Sequence, residues 1–218
     1  MRTPDEIVLA TSNPHKVEEM NAIFATLPGG PSVRFLSLAE ACPGLVLREP
    51  AETGTTFEEN ATIKAVGYAR QTGRVCLADD SGLEIDALGG RPGVISSHYS
   101  TDGRETGATR SQRDAASNER VLREMASVPD DARGARFVCV MVLASPEGRV
   151  LATSRGTFEG RIGRGLRGDG GFGYDPMFLV APDYTRSSAE LPAAEKNRLS
   201  HRGAAARELA LAISRLRV

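Results

Sequence analysis

The 218-residue chain has no tryptophan, aromatics make up only 5% of it, and lysine supplies three of its 27 basic residues. No apolar stretch approaches the length of a membrane span, and the short run Ile7, Val8, Leu9, Ala10 is too brief for a signal segment. The three cysteines Cys42, Cys76 and Cys139 lie far apart. Being odd in number and without CxxC spacing, they suit neither a disulfide framework nor a zinc site, so a reducing cytoplasm is expected. A formal net charge of −1 removes any broad attraction for a polynucleotide or an anionic membrane, and a bound anion must be held by local groups. No G-x-x-x-x-G-K-[ST] phosphate loop and no Ser-His-Asp arrangement are evident.

What is present is ordinary for a globular domain: 40% hydrophobic and 25% charged residues, in a length that suits a single α/β unit. Residues 6–11 read as a buried strand, and Pro14 opens a helix with Val17, Met20, Phe24 and Leu27 on one face, stopped by Pro28-Gly29-Gly30. Residues 33–38 alternate as a strand. Thr56 and Glu59 have the spacing of a capping box for a helix running to about residue 71, ended by Gly73. Residues 75–78 form a strand that delivers Asp79 and Asp80 at its C-terminal end, where ligands gather in open α/β sheets. Ser81-Gly82 supplies a turn there, and 83–88 is a further strand. A glycine-rich loop carries His98 and Tyr99, and 112–125 is a polar helix. Residues 136–144 and 150–156 are antiparallel strands, 160–173 is loop, and Ser200 caps a last helix with Leu209, Ile213 and Leu216 at helical spacing and Arg215 and Arg217 near its end.

Lysine is a compact point charge suited to phosphate oxygens, and Lys16, Lys64 and Lys196 all lie in segments with chemical neighbours. The turn Thr11-Ser12-Asn13-Pro14-His15-Lys16 sits where free N–H groups and a helix dipole favour an anion; its bland reading is a capped helix with a surface lysine. Asn60 and Lys64 share a helix face, while Glu52 lies in the preceding loop, free to point at a metal. Asp79 and Asp80 are adjacent acids whose repulsion a Mg²⁺ ion would relieve; a polar loop with an Asx turn is the alternative. Phe172 and Tyr174, flanked by Gly173 and Asp175, suggest a stacking platform for a base, with Asp175 accepting from a ring N–H. Lys196 and Ser200-His201-Arg202-Gly203 offer a second place to grip carbonyl or phosphate oxygens.

Six short pieces in order, Thr11-Ser12-Asn13 with Lys16, Glu52-Thr53-Gly54, Glu59-Asn60 with Lys64, Ala78-Asp79-Asp80-Ser81-Gly82-Leu83, Gly171-Phe172-Gly173-Tyr174-Asp175-Pro176, and Ser200-His201-Arg202-Gly203, make the chain resemble the inosine triphosphate pyrophosphatase family, the bacterial non-canonical purine NTP diphosphatases. The resemblance implies an α/β fold with a long twisted mixed β-sheet flanked by helices, a single two-lobed domain over 1–218 enclosing a substrate cleft, and a homodimer. It further implies Mg²⁺-dependent hydrolysis of XTP, ITP or dITP to the monophosphate and pyrophosphate. Carried onto this chain, residues Thr11, Ser12, Asn13, Pro14, His15 and Lys16 hold the triphosphate and Lys64 adds a phosphate contact. Glu52, Asp79 and Asp80 serve the metal, with Asp80 the proton acceptor. Ser81 touches substrate, Phe172, Gly173, Tyr174, Asp175, His201 and Arg202 recognise the purine, and Lys196 binds the nucleotide near the same end. Competing readings are a noncatalytic purine nucleotide sensor and a related triphosphatase acting on pyrimidine or modified nucleotides.

Overall fold

A computed structural model describes residues 5–11, 14–27 and 33–216, apart from the side chains of Pro14, His15 and Glu19. The expected stop at Pro28-Gly29-Gly30, the turn residues Ser12 and Asn13, and Arg217 lie outside the described residues. Six strands form one sheet in the order β2-β1-β3-β4-β5-β6. β1 (Glu6–Leu9) pairs in parallel with β2 (Arg34–Leu36) and with β3 (Cys76–Ile85). β4 (Gly134–Ala144) and β5 (Val150–Ile162) follow, and β6 (Phe178–Val180) pairs antiparallel with β5. The helices are α1 (Pro14–Ala25), α2 (Leu38–Ala41), α3 (Phe57–Thr72), α4 (Arg110–Glu124), α5 (Ala193–Leu199) and α6 (His201–Arg215).

The chain divides into two compact units, one comprising 1–80, 139–156 and 201–218, the other 81–138 and 157–200. In the first, Ile7, Leu9, Met20, Phe24, Phe35, Leu77, Met141, Leu209 and Ile213 form the core. The edge strand β2 is pinned by Asn21, whose amide bonds both the N–H and the C=O of Phe35 at 2.9 and 3.0 Å. α3 starts at the expected box, with Thr56 and Glu59 satisfying each other's backbone N–H, and ends at Gly73 in the left-handed conformation (φ 63°). In the second unit the core gathers Leu83, Ile85, Tyr99, Val121, Met125, Phe158, Met177 and Phe178. Arg133 is buried there, its guanidinium donating to the carbonyls of Ile162, Met125, Val128 and Gly163 at 2.6–3.2 Å.

Three expectations are corrected. The chain does not turn at Ser81-Gly82: β3 runs unbroken through Asp79, Asp80, Ser81 and Gly82 to Ile85. Lys16 and Arg202 satisfy Asp79, and tertiary packing outweighs the local turn preference of the segment. The strand expected to reach Leu38 stops at Leu36, because Ser37 caps α2 through a box with Glu40. The glycine-dense region is not all loop, since β5 continues to Ile162. Within β5 the glycines mark close approach rather than turning, whereas Gly168, Gly171 and Gly173 beyond it have positive φ and do turn the chain. A Cβ on Gly160 would meet the Phe178 ring, and one on Gly156 would strike the His201 carbonyl and the Ala205 nitrogen. Gly156→Ala is therefore expected to cost about 2–3 kcal/mol, read as a lowered denaturant midpoint with unchanged slope; a wild-type midpoint would mean that α6 is not seated on β5 as described.

Candidate functional site

Side chains alternate across a strand, so Asp79 and Asp80 on β3 point to opposite faces and meet different partners. Asp79 is 7% exposed. Lys16, in the first turn of α1, donates to both its oxygens at 3.0 and 3.2 Å, and Arg202, at the start of α6, donates Nη2–H to Oδ2 at 3.3 Å. Burial alone would raise the Asp79 pKa, but Lys16, Arg202 and Lys64 outweigh it and hold this carboxyl far below the usual range.

Asp80 has the reverse balance. Burial is the largest influence and pushes its pKa up to about 6; Glu52 and Asp79 add to that, while Lys64 and a hydrogen bond from Asn60 oppose it. Lys64, on α3, pairs with Glu52 at 3.0 Å and donates to the Asp79 carbonyl at 3.3 Å. Burial would depress the Lys64 ammonium, yet Asp79, Glu52 and Asp80 together raise its pKa. Asn60, one turn before Lys64, accepts from the Gly54 N–H at 2.8 Å and so ties the Glu52 loop to the helix. Thr11 is half-buried, its N–H bonded to the Leu9 carbonyl at 2.8 Å. His201 is buried beside Arg202, and Ser81 is half-buried on β3.

The other expected residues lie in the second unit. Phe172 is half-exposed, whereas Tyr174 is buried and donates its hydroxyl to the Ser96 carbonyl at 2.6 Å; burial pushes that phenol's pKa up. Of the two aromatics expected to stack, Tyr174 is a core residue. Asp175 is 4% exposed and already occupied: Oδ2 accepts from Lys196 Nζ at 2.5 Å and from the Phe172 N–H at 2.8 Å, and Oδ1 from Ser188 Oγ at 2.8 Å. It shapes the Phe172 loop and orients Lys196, whose ammonium lies 5.1 Å from the Phe172 ring centroid. The sequence reading missed Ser188, for which no local signal exists. It also missed Asp114 and Asn118 on α4, which hold Gly173 and whose i, i+4 spacing was available to be noticed.

Among the described residues no three His, Cys, Asp or Glu form a ready metal-holding group. With Asp79 committed to Lys16 and Arg202, the carboxylates suited to a cation are Glu52 and Asp80. Their mutual repulsion, visible in the raised Asp80 pKa, is what a hard divalent ion with oxygen ligands relieves. The donor set fits Mg²⁺, which needs only one or two carboxylates beside water and phosphate.

A parallel β1–α1–β2 start, a long strand carrying two acids and a cation-rich network around them define a mixed α/β protein built to hold a polyphosphate. The chain belongs to the Ham1 family, whose sequence model matches residues 7–212. A Frankia alni protein named dITP/XTP pyrophosphatase is 47% identical over 204 residues, spanning 94% of this chain and 95% of its own. One from Exiguobacterium sibiricum with the same name is 43% identical over 209 residues, 96% and 97% of the two chains. The solved HAM1 protein of Coxiella burnetii superposes with a TM-score of 0.81 at 40% identity, covering 97% of this chain and 99% of that one.

Proposed function

We propose that this chain hydrolyses non-standard purine nucleoside triphosphates, XTP, ITP and dITP, to the nucleoside monophosphate and pyrophosphate, cleansing the nucleotide pool in the cytoplasm as a homodimer. Relatives of nearly equal length named dITP/XTP pyrophosphatase support the substrate class. The observation that carries the chemistry is the placement of the two acids of β3, Asp79 locked between Lys16 and Arg202, and Asp80 buried near Glu52 and Lys64, which pair at 3.0 Å.

Each residue then has a task. Lys16 and Lys64, with the turn from Thr11 through Ser12, Asn13, Pro14 and His15, neutralise triphosphate oxygens; Asp79 keeps Lys16 and Arg202 in place until the phosphates arrive. Glu52 and Asp80 would hold Mg²⁺, which when bound supplies charge neutralisation and a more acidic water. Asp80 takes the proton of the attacking water. Positioning and charge neutralisation carry this phosphoryl chemistry, and no covalent nucleophile is required. Ser81 contacts the substrate, Phe172 offers its exposed ring to the purine, and Lys196, oriented by Asp175, steadies the base end. His201 and Arg202 donate to the 6-carbonyl of hypoxanthine or xanthine. Adenine presents an amino group there, a mismatch that leaves buried donors unpaired and costs about 10⁴-fold in sites built around hydrogen bonds.

The test is a substrate panel with Mg²⁺. ITP and XTP are expected to release pyrophosphate, with ATP slower by at least about 10²-fold. Release of orthophosphate, equal turnover of ATP, or a preference for pyrimidine triphosphates would overturn the proposal. Light scattering checks the dimer, and a chelator should abolish turnover reversibly.

A further inference from the structure

α4 presents a stripe of three side chains to one peptide of the Phe172 loop. Thr109 and Gln112 form a capping box that sets the start of the helix, so Arg110, Asp114 and Asn118, each four residues apart, fall on one face. The Asp114 carboxylate accepts the Gly173 N–H at 3.0 Å, and the Asn118 amide donates to the Gly173 carbonyl at 3.0 Å. Both polar groups of Gly173 are thus held by α4. Asn118 is buried and its Oδ1 has no hydrogen-bond partner among the described residues, so the Gly173 carbonyl is the contact its amide serves.

Arg110 completes the stripe, its guanidinium carbon 4.6 Å from the Phe172 ring centroid. A cation at the first position of a helix opposes the macrodipole, and α4 has no acid in its first turn to offset it. The arginine is placed against the dipole, and its partners are the Phe172 ring and the Asp114 carboxylate, whose Oδ2 lies 3.9 Å from its Nε. Gly173 itself has φ 60°, a conformation that side chains rarely adopt, and two hydrogen bonds from one helix hold that turn in place.

We propose that Arg110, Asp114 and Asn118 are positioning residues that preorganise the Phe172 platform for the purine base, acting on the base end of the nucleotide and not on its phosphates. This rests on the functional reading above, in which Phe172 meets the purine. A platform fixed before the substrate arrives lowers the ordering cost of binding, and it does so equally for ground and transition states.

The experiment measures kcat and KM for ITP together with inhibition by inosine monophosphate and by imidodiphosphate, a base-free phosphate probe. Asp114→Ala is expected to raise KM and to weaken inosine monophosphate about fivefold, with kcat within about twofold and imidodiphosphate inhibition unchanged. Arg110→Ala, at an exposed position, shifts the same quantities about threefold. Asp114→Asn keeps an acceptor for the Gly173 N–H and restores wild-type values. Wild-type KM in both alanine variants, or parallel losses against inosine monophosphate and imidodiphosphate, would overturn the inference. Should the wild-type protein fail to release pyrophosphate from ITP, the functional reading falls by itself, and calorimetric binding of inosine monophosphate to the same variants still decides this one.

Discussion

Asp80→Asn is expected to reduce turnover of ITP by about 10³-fold or more and, with divalent ions chelated, to raise the melting temperature at pH 7.5. The two effects share one cause. Burial pushes the Asp80 carboxyl up to about 6 from a reference of 3.8, so its ionised form is strained in the folded state. A carboxyl raised in this way contributes stability that is fully present below about pH 3.8 and is lost as pH rises through about 6. Removing its charge should return about 3 kcal/mol above that window and nothing below it.

The neighbouring substitution has the opposite sign. Asp79 is held far below its reference by Lys16 and Arg202, so its contribution is present above about pH 3.8 and is lost only in strong acid. Asp79→Asn leaves Arg202, itself 5% exposed, beside a neutral partner and is expected to lower the melting temperature under the same conditions. Thermal scans of both variants from pH 4 to 8 in chelator are the measurement. If Asp80→Asn destabilises at pH 7.5, or if the two variants shift together, the assignment of one acid to cations and the other to strain is wrong. A nucleotide sensor would bind ITP and show no turnover for Asp80→Asn to remove, which separates that reading from the enzyme.

Arg133→Met should produce the largest loss of stability outside the candidate site. This one guanidinium donates to four carbonyls, of Met125, Val128, Ile162 and Gly163; Met125 also accepts from the Val128 N–H, and Val128 from Arg164. Burial, with the like charges of Arg164 and Arg161, depresses the Arg133 pKa. The balance nonetheless favours the arginine: four hydrogen bonds from a charged donor are lost at about 1 kcal/mol or more each, partly offset by removing the buried charge, for a net loss of about 3 kcal/mol. For a chain of this size that is a fall in Tm of roughly 6–12 °C. The kcat of the folded variant at 25 °C should stay within about twofold, since none of the four carbonyls belongs to the candidate site. An unchanged Tm would mean that water replaces the guanidinium and that the cage is not structural.

The helices with strong local signals were legible in the chain: the capping box at Thr56 and Glu59, the stop at Gly73, and the apolar stripe of Val17, Met20 and Phe24 depend on neighbours a few residues away. The ordered pieces around Lys16, Lys64, the two acids and Phe172 likewise pointed to the family, because recognition needs residue order and not coordinates. Tertiary structure alone decided that β3 passes straight through Asp79 and Asp80, since strand or turn there depends on whether Lys16, Arg202 and Lys64 arrive to compensate the acids. It also decided which glycines are turns and which are clearances, as Gly156 and Gly160 are defined by α6 and by Phe178, distant in sequence. The division of labour between the acids was beyond the sequence for the same reason. Two identical side chains in succession differ only in what the fold places opposite each, and long-range packing sets that environment.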